Sequence, residues 1–351
     1  MFFTEYISGN RRLAPEIESM QTGRDILDDA ASSVDVTITA VVKNKSFLFF
    51  TYRDVNSSDD PQDNFVSGKI LNSTTLRFER VNTNGVISIQ WFVVEFKSST
   101  AANVQHISHS LASASDNVAI TPVALGSAFP ILTARQAGAT LAADDKWQAD
   151  ITSSSNLNLS VDTYPGFNAF LECQVVENGN WQVTRYADSI GAGAASKVTT
   201  ITPVVLAHTF MTISGIIDGP YLGDDYHRSQ ITAVNQITTQ RSGATGQVFS
   251  YVIYVVEGFG KFNVQHIADN IPIGSNFNDT IIAAVNLNWT ILAHTMINHS
   301  KATNVTNNNA NANNTYVRCH FNAANTVRAN RAGNAVQVNY TLQAIDFTAG
   351  T

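Results

Sequence analysis

The sequence repeats itself about every eighty residues. The segment ITPVAL at 120–125 returns as ITPVVL at 201–206 and, in degraded form, as IAAVNL at 282–287, and a fainter first copy starts at Ile38. The successive starts are 82, 81 and 81 residues apart. A second marker keeps the same interval, namely an apolar run that ends in an acid. Two markers in register predict four tandem copies of one folded unit.

Within each copy the chain has the pattern of short β-strands. Residues 34–39 alternate between apolar and polar side chains, 46–52 are rich in strand-forming aromatics, and 85–96 form a long alternating run. The ITPVVL-type segment is predicted as a further apolar strand. Turn-forming residues separate these runs, and no segment after residue 33 keeps a helical period. We therefore predict an all-β fold of four tandem antiparallel β-sandwich repeats.

The markers also place domain boundaries. The predicted β-sandwich repeats are 34–119, 120–200, 201–281 and 282–351, of which the last is truncated and typical of a capping unit. Residues 1–33 fall outside the pattern and form an N-terminal arm. Pro15, followed by Glu16 and Glu18, predicts a short helix there. The arm either straps across the first repeat or anchors the chain to another protein.

Composition limits the partners. Charged residues make up only 14% of the chain and the formal net charge is −7, which does not attract nucleic-acid phosphates. No apolar run reaches the ~18 residues of a membrane-spanning helix, so no membrane insertion is expected. The first residues lack the basic and apolar regions of a signal peptide. We expect synthesis without a signal peptide and a location in a virion, or outside the cell after lysis.

The acid that closes the second marker is the first candidate for chemistry. It recurs as Glu95, Glu177, Glu257 and Asp346. Two carboxylates suffice for glycoside hydrolysis, and a loop acid of each copy offers a partner. An acid that recurs with no specialised copy is, however, typical of a structural group, which either pairs with a recurring arginine (Arg80, Arg241, Arg331) or accepts the N–H groups of a turn. We predict no catalytic residues and no enzymatic activity.

Each copy also has a polar loop that ends on an aromatic residue. The candidate ligand-binding residues in these loops are Phe65, Asp145, Trp147, Asp225 and Tyr226. The aromatic side chains either stack on sugar rings or pack in the core. The loop acids do not have the spacing of a defined Ca²⁺ loop. His106 and His266 recur, but one histidine per copy does not assemble a metal site, so no metal or other cofactor is predicted.

The two cysteines, Cys173 and Cys319, occupy non-equivalent places in their copies. They are predicted to be buried free thiols, with a disulfide as the alternative.

The order of these motifs resembles that of the H-type lectin domain and its relatives in phage tail and virion proteins. The matching segments are Pro203–Leu206, Ile237–Arg241, Trp91–Phe96 and Val104–Gln105. The resemblance covers about residues 34–347 and implies six-stranded antiparallel sandwiches that form trimers or hexamers, with sugar binding in the lectin members. Trp91 is replaced by Cys173 and Ile253 in the next two copies, so only the fold is carried over.

These observations together favour a non-catalytic structural protein of a phage virion, in the tail, a fibre or the capsid decoration. Its expected partners are other virion proteins, further copies of itself in a homo-oligomer, and host surface glycans. The alternative is a multivalent carbohydrate-binding lectin or adhesin, in which several weak sites act by avidity.

Overall fold

A computed structural model describes residues 16–55, 61–138, 145–162, 169–219, 227–241, 243–244, 246–294, 316–335 and 337–348. Over these residues the chain has 24 β-strands, one short α-helix, α1 (Pro61–Asn64), and single-turn 3-10 helices. The predicted all-β fold class is confirmed. No helix within the described ranges is long and apolar enough to cross a membrane.

The strands follow one another closely along the chain. The first twelve are β1 (Ile17–Leu27), β2 (Ser33–Thr37), β3 (Ser46–Asp54), β4 (Ser67–Asn72), β5 (Thr75–Glu79), β6 (Ile87–Phe96), β7 (Asn103–Ser110), β8 (Ser115–Ala119), β9 (Ala128–Gln136), β10 (Gln148–Ser153), β11 (Asn156–Ser160) and β12 (Ala169–Glu177). The others are β13 (Gln182–Ile190), β14 (Ser196–Thr200), β15 (Thr209–Ile217), β16 (His227–Ala233), β17 (Gln236–Arg241), β18 (Phe249–Glu257), β19 (Asn263–Ile271), β20 (Phe277–Ile281), β21 (Thr290–His294), β22 (Arg318–Ala323), β23 (Thr326–Asn330) and β24 (Val338–Asp346).

In the described part of the chain these strands pair into eight antiparallel sheets of three strands each. Strands β1–β6 give one sheet in the order β1-β6-β3 and another in the order β2-β5-β4. The same two orders recur in β7–β12, β13–β18 and β19–β24, and we call these sets of strands groups 1 to 4. In each group the long sixth strand is central in its sheet, and the apolar residue before the acid is fully buried, namely Val94, Val176, Val256 or Ile345. The architecture is therefore that of β-sandwiches in a tandem, repeat-like arrangement.

The start of the chain differs from the expectation. Residues 17–27 form strand β1 and not a helix, so the predicted helix is wrong. β1 pairs with β6 along its length, from Ile17 opposite Phe96 to Leu27 opposite Ile87. Ile17 and Leu27 are fully buried. This segment of the predicted arm is thus an edge strand of the first sheet, while residues 1–15 lie outside the described residues.

The pairing also groups the strands differently from the predicted boundaries. Residues 103–110, expected at the end of the first repeat, form β7 of group 2, and residues 263–271 form β19 of group 4. Group 4 therefore has the same six strands as the others. The markers fix the interval between copies, but they do not fix the residue at which a copy begins.

The ITPVVL-type segments are not strands. They cross from the second to the third strand of a group and lead into a 3-10 turn, as at Leu206–His208. In group 3 the crossover is held to a hairpin turn, since Ile201 N donates to Asn235 O at 2.9 Å and Val204 N donates to Val234 O at 2.8 Å. Part of the recurring apolar pattern is buried, as at Ile120, Val123 and Ile201, whereas Leu125 and Val205 are exposed.

The four groups pack against one another in a closed ring. The first strand of groups 2, 3 and 4 lies against the 3-10 turn of the preceding group. The last group returns to the first, because β21 and β22 pack on β3, and β22 also packs on β6. One core of buried apolar side chains runs through all four groups, and a second lies within group 3.

Candidate functional site

Each of the four recurrent acids accepts a hydrogen bond from a backbone N–H group near the start of a third strand. The contacts are Glu95 Oε1 with Val42 N (2.7 Å), Glu177 Oε1 with Ala124 N (2.7 Å), Glu257 Oε1 with Val205 N (2.9 Å) and Asp346 Oδ2 with Asn286 N (3.4 Å). Each N–H lies just before the third strand of its group. Two structural partners were expected for these acids, a recurring arginine or the N–H groups of a turn. In the described residues the contacts above are with the turn.

The recurring arginines are buried clamps on loop carbonyls. Arg80 is 2% exposed, and it donates from Nε to Ala31 O at 3.0 Å, from Nη1 to Gly85 O at 2.7 Å and from Nη2 to Asp28 O at 2.6 Å. Arg241 and Arg331 donate to the corresponding loops of groups 3 and 4. In group 2 the position is Val161, so the clamp is absent there.

The predicted ligand-binding aromatics lie inside the ring. Phe65 is 1% exposed and Trp147 is 3% exposed. Their rings meet edge to face at 5.2 Å, and Phe65 also contacts Tyr316 of group 4 at 6.4 Å. Burial closes both faces to a sugar from solvent, which corrects the expectation of surface stacking at these two positions. Asp145 is likewise fully buried, and Asp225 and Tyr226 lie outside the described residues.

A cavity of about 50 Å³ lies where the third strands of all four groups converge. Its wall includes Phe50, Ile131, Thr212 and His294, one residue from each third strand, together with Trp147. Trp147 Nε1 and Thr212 Oγ1 are buried without a hydrogen-bond partner in the described structure. The wall is mostly apolar, and a cavity of this size with these few polar groups has room for a few water molecules.

Near this cavity, aromatic side chains from all four groups gather around Trp181. The rings in contact with it are Phe96, Phe129, Phe210, Phe262 and Phe347. Trp181 Nε1 donates to the buried carboxylate of Glu16, which also accepts from Asn180 at 3.0 Å. Through Trp181, Glu16 is linked to this aromatic cluster.

We call the contact region between two neighbouring groups a seam. Three seams share one motif, in which a hydroxyl on the third strand of one group bonds both the N–H and the C=O of one residue on an edge strand of the preceding group. The contacts are Thr133 with Gly68 (3.1 and 3.3 Å), Ser214 with Ala149 (3.1 and 3.2 Å) and Thr51 with Cys319 (3.0 and 3.1 Å). The last closes the ring from group 4 to group 1. Such contacts satisfy the open edge of a sheet, which would otherwise attract another strand.

A glutamine completes two of the seams in the same way. Gln174 accepts from Leu48 N at 2.8 Å and donates to Leu48 O at 2.9 Å. Gln343 makes the same pair of bonds with Met211, at 2.8 and 2.9 Å. At the seam between groups 2 and 3 the corresponding strand residue is Pro130, which has no N–H to donate.

Tyr254 stands in place of glutamine at this third seam. Its hydroxyl accepts from Ile151 N at 2.7 Å and donates to Asp150 Oδ1 at 2.9 Å. Asp150 also forms a bidentate pair with Arg185, with both distances at 2.6 Å. This exchange of glutamine for tyrosine opposite a proline is the sequence signal that would have located the seams.

The remaining candidates are also structural in their contacts. His106 Nε2 lies 2.9 Å from Lys43 O, and His266 Nε2 lies 3.1 Å from Leu206 O, both across a seam. Burial lowers the pKa of both histidines, which favours the neutral ring as the donor. Cys173 and Cys319 are buried free thiols, as predicted. Among the residues described, no three histidine, cysteine or acidic side chains are placed to hold a metal ion.

No protein-family model matches the chain, and no curated protein matches it significantly.

Proposed function

We propose that the chain is a non-catalytic assembly protein, made of four tandem β-sandwich domains closed into one ring, and that it serves as a structural component of a phage virion. The observation that carries this proposal is the use of the recurrent polar residues. The acids and arginines that are the first candidates for chemistry hold backbone groups at the same place in successive groups. Residues with such contacts are elements of a scaffold.

The seams support a rigid building block. The hydroxyl and glutamine contacts between groups are buried and satisfy both polar atoms of a backbone residue, so the groups pack together without leaving these buried atoms unpaired. A ring of similar units presents similar outer faces in several directions, which suits contacts with further copies and with other virion proteins. The low content of charged residues agrees with a place in the tail, a fibre or the capsid decoration.

The oligomeric state of the purified protein tests this proposal. We expect light scattering and electron microscopy to show rings that associate into a discrete oligomer or a tube at micromolar concentration. Protein that stays monomeric at all accessible concentrations, and binds uncharged glycans on an array, would contradict the proposal and favour the multivalent lectin.

A truncation that tests anchoring by the N-terminal residues must leave strand β1 in place. Removal of residues 1–33 would delete β1 from the first sheet, whereas removal of residues 1–15 spares it. We expect the shorter truncation to retain the circular dichroism spectrum of the full chain and to lose incorporation into particles. Normal incorporation of this truncated protein would rule out the anchor.

A further inference from the structure

The seam between groups 1 and 2 contains a balanced set of charges. Lys69 Nζ lies 2.7 Å from Glu172 Oε1 and 3.1 Å from Glu79 Oε2, and Arg135 Nη1 lies 3.2 Å from Glu79 Oε2. Two cations therefore face two carboxylates, and Ser108 also donates to Glu172. The seam between groups 1 and 2 is therefore the reference with which we compare the seam between groups 4 and 1.

The seam between groups 4 and 1 has lost both carboxylates. Strand register places Gln90 at the position of Glu172, and Asn330 at the position of Glu79. One cationic position is kept, because Arg53 corresponds to Arg135, whereas the neutral His320 takes the place of Lys69. Two serines of the reference seam are replaced by arginines, Ser108 by Arg24 and Ser67 by Arg318. The substitutions change a neutral network into a cationic one.

These arginines make only neutral contacts. Arg24 Nε donates to Gln90 Oε1 at 3.1 Å, Arg53 Nη1 donates to Arg331 O at 3.1 Å, and Arg318 Nη1 donates to Ser88 Oγ. Within the described ranges none of the three forms an ion pair with a carboxylate.

The acid of this face is already engaged, since Asp279 binds Arg328 through both oxygens at 2.7 and 2.6 Å. His320 is 4% exposed, and its Nδ1 has no partner. Burial, followed by the charges of Arg24, Arg318 and Arg328, lowers the pKa of His320 to about 3. Burial, followed by the charges of Arg53 and Arg24, lowers the pKa of Arg318 to about 10. The seam therefore carries positive charge that nothing in the described chain neutralises.

An open groove of about 220 Å³ leads to this charge. Arg24 is exposed and lines the groove with Gln90 and Thr22. The apolar part of its lining consists of Phe92, Leu287 and Phe321. A planar guanidinium beside an apolar wall is suited to an anionic group on an organic body, because the guanidinium binds the oxyanion through two N–H groups while the body covers apolar surface.

We propose that this groove binds an oxyanion, that is a sulfate, phosphate or carboxylate group, carried by a small organic molecule. Arg24 is its principal ligand, and Arg53 and Arg318 supply positive charge from behind. Phe92, Leu287 and Phe321 receive the organic body. This site goes beyond the scaffold function and does not depend on it.

Calorimetric titration of the full chain with inorganic sulfate, a sulfated monosaccharide and the unsulfated sugar tests the proposal. The unfolding temperature is measured in parallel in sulfate and in chloride at equal ionic strength. Sulfate stabilises proteins in general through exclusion from their surface, so the comparison with variants decides the result.

Three variants make the test specific. Arg24→Gln should weaken binding of the sulfated sugar by about tenfold or more, because it removes a charge-assisted contact. Gln90→Glu restores the acid of the reference seam, and it should raise the unfolding temperature without sulfate and abolish the specific response to sulfate. Arg77→Gln is the matched control, since Arg77 is on the other sheet of group 1 and pairs with exposed Asp35 at 2.7 Å. It should bind like the unchanged chain.

Equal sulfate responses of the Arg24→Gln and Arg77→Gln variants would overturn the site, as would a Gln90→Glu variant that gains no stability. Tighter binding of the sulfated sugar than of inorganic sulfate supports the organic body, and equal binding overturns that part of the proposal.

Discussion

The contact between Thr51 and Cys319 is the point at which the ring closes, and its removal has a predictable cost. Thr51 is fully buried on β3, and its hydroxyl bonds both the N–H and the C=O of Cys319, 268 residues away. Thr51→Val keeps the shape of the side chain and removes both bonds. Cys319 is on an edge strand, so these two backbone atoms have no strand partner to replace the hydroxyl.

The magnitude follows from the unpaired groups. A buried donor or acceptor without a partner costs about 1–3 kcal/mol, so we expect a loss of about 2–4 kcal/mol in the free energy of unfolding. The unfolding entropy of a body of this size is about 0.7 kcal/mol per kelvin if the groups unfold together. The unfolding temperature should therefore fall by roughly 3–6 °C.

Urea denaturation and differential scanning calorimetry measure both quantities. Thr37→Val on exposed β2 of the same group is the control, and it should change the free energy of unfolding by less than about 0.5 kcal/mol. A Thr51→Val variant as stable as this control would refute the reasoning, because the hydroxyl would then lie in water and the first and last groups would not be in contact.

Further predictions concern a seam, a clamp and a buried histidine. Gln343→Leu should lower the free energy of unfolding by about 2–4 kcal/mol in urea, because both polar atoms of Met211 lose their partner, and an unchanged midpoint would contradict that contact. Arg80→Met should destabilise the chain by at least about 2 kcal/mol, whereas Val161→Met, at the position without the clamp, should cost less than about 1.5 kcal/mol; similar losses would argue against the carbonyl clamp. The pKa of His320 is lowered to about 3 in the folded chain, so the unfolded chain binds more protons below pH 6.5 and stability should fall as the pH decreases from about 6.5 towards 3. His320→Gln should make this fall shallower. An unchanged pH profile would show that the imidazole of His320 has an ordinary pKa in the folded chain.

The sequence predicts the class of fold because its signal is local. Alternation, turn residues and an eighty-residue interval place strands such as β6 and predict a repeated β architecture, which the sheets confirm. No such local signal marks the residue at which each repeat begins. β1 carries polar residues on most of its length, including Glu18, and follows Pro15 and Glu16, so its strand conformation depends on its pairing with β6 rather than on its own pattern.

The seams escape prediction for a different reason. They join side chains to backbone atoms of residues more than 60 positions away, so the trace that they leave in the sequence is the exchange of glutamine for Tyr254 opposite Pro130. The loop aromatics show the same limit. Phe65 and Trp147 recur beside polar loops, which suits a sugar site or a core equally well, and only the contact between two groups shows that they are buried.

Small-angle X-ray scattering of the monomeric full-length chain tests the closed ring most directly. A compact body of 351 residues has a radius of gyration of about 20 Å. Four sandwiches of this size in an open linear array would have a radius of gyration of roughly 30 Å or more. The closed ring predicts a value within a few ångströms of the compact limit. A value near that of the open array would contradict the contact between groups 4 and 1, and with it the ring.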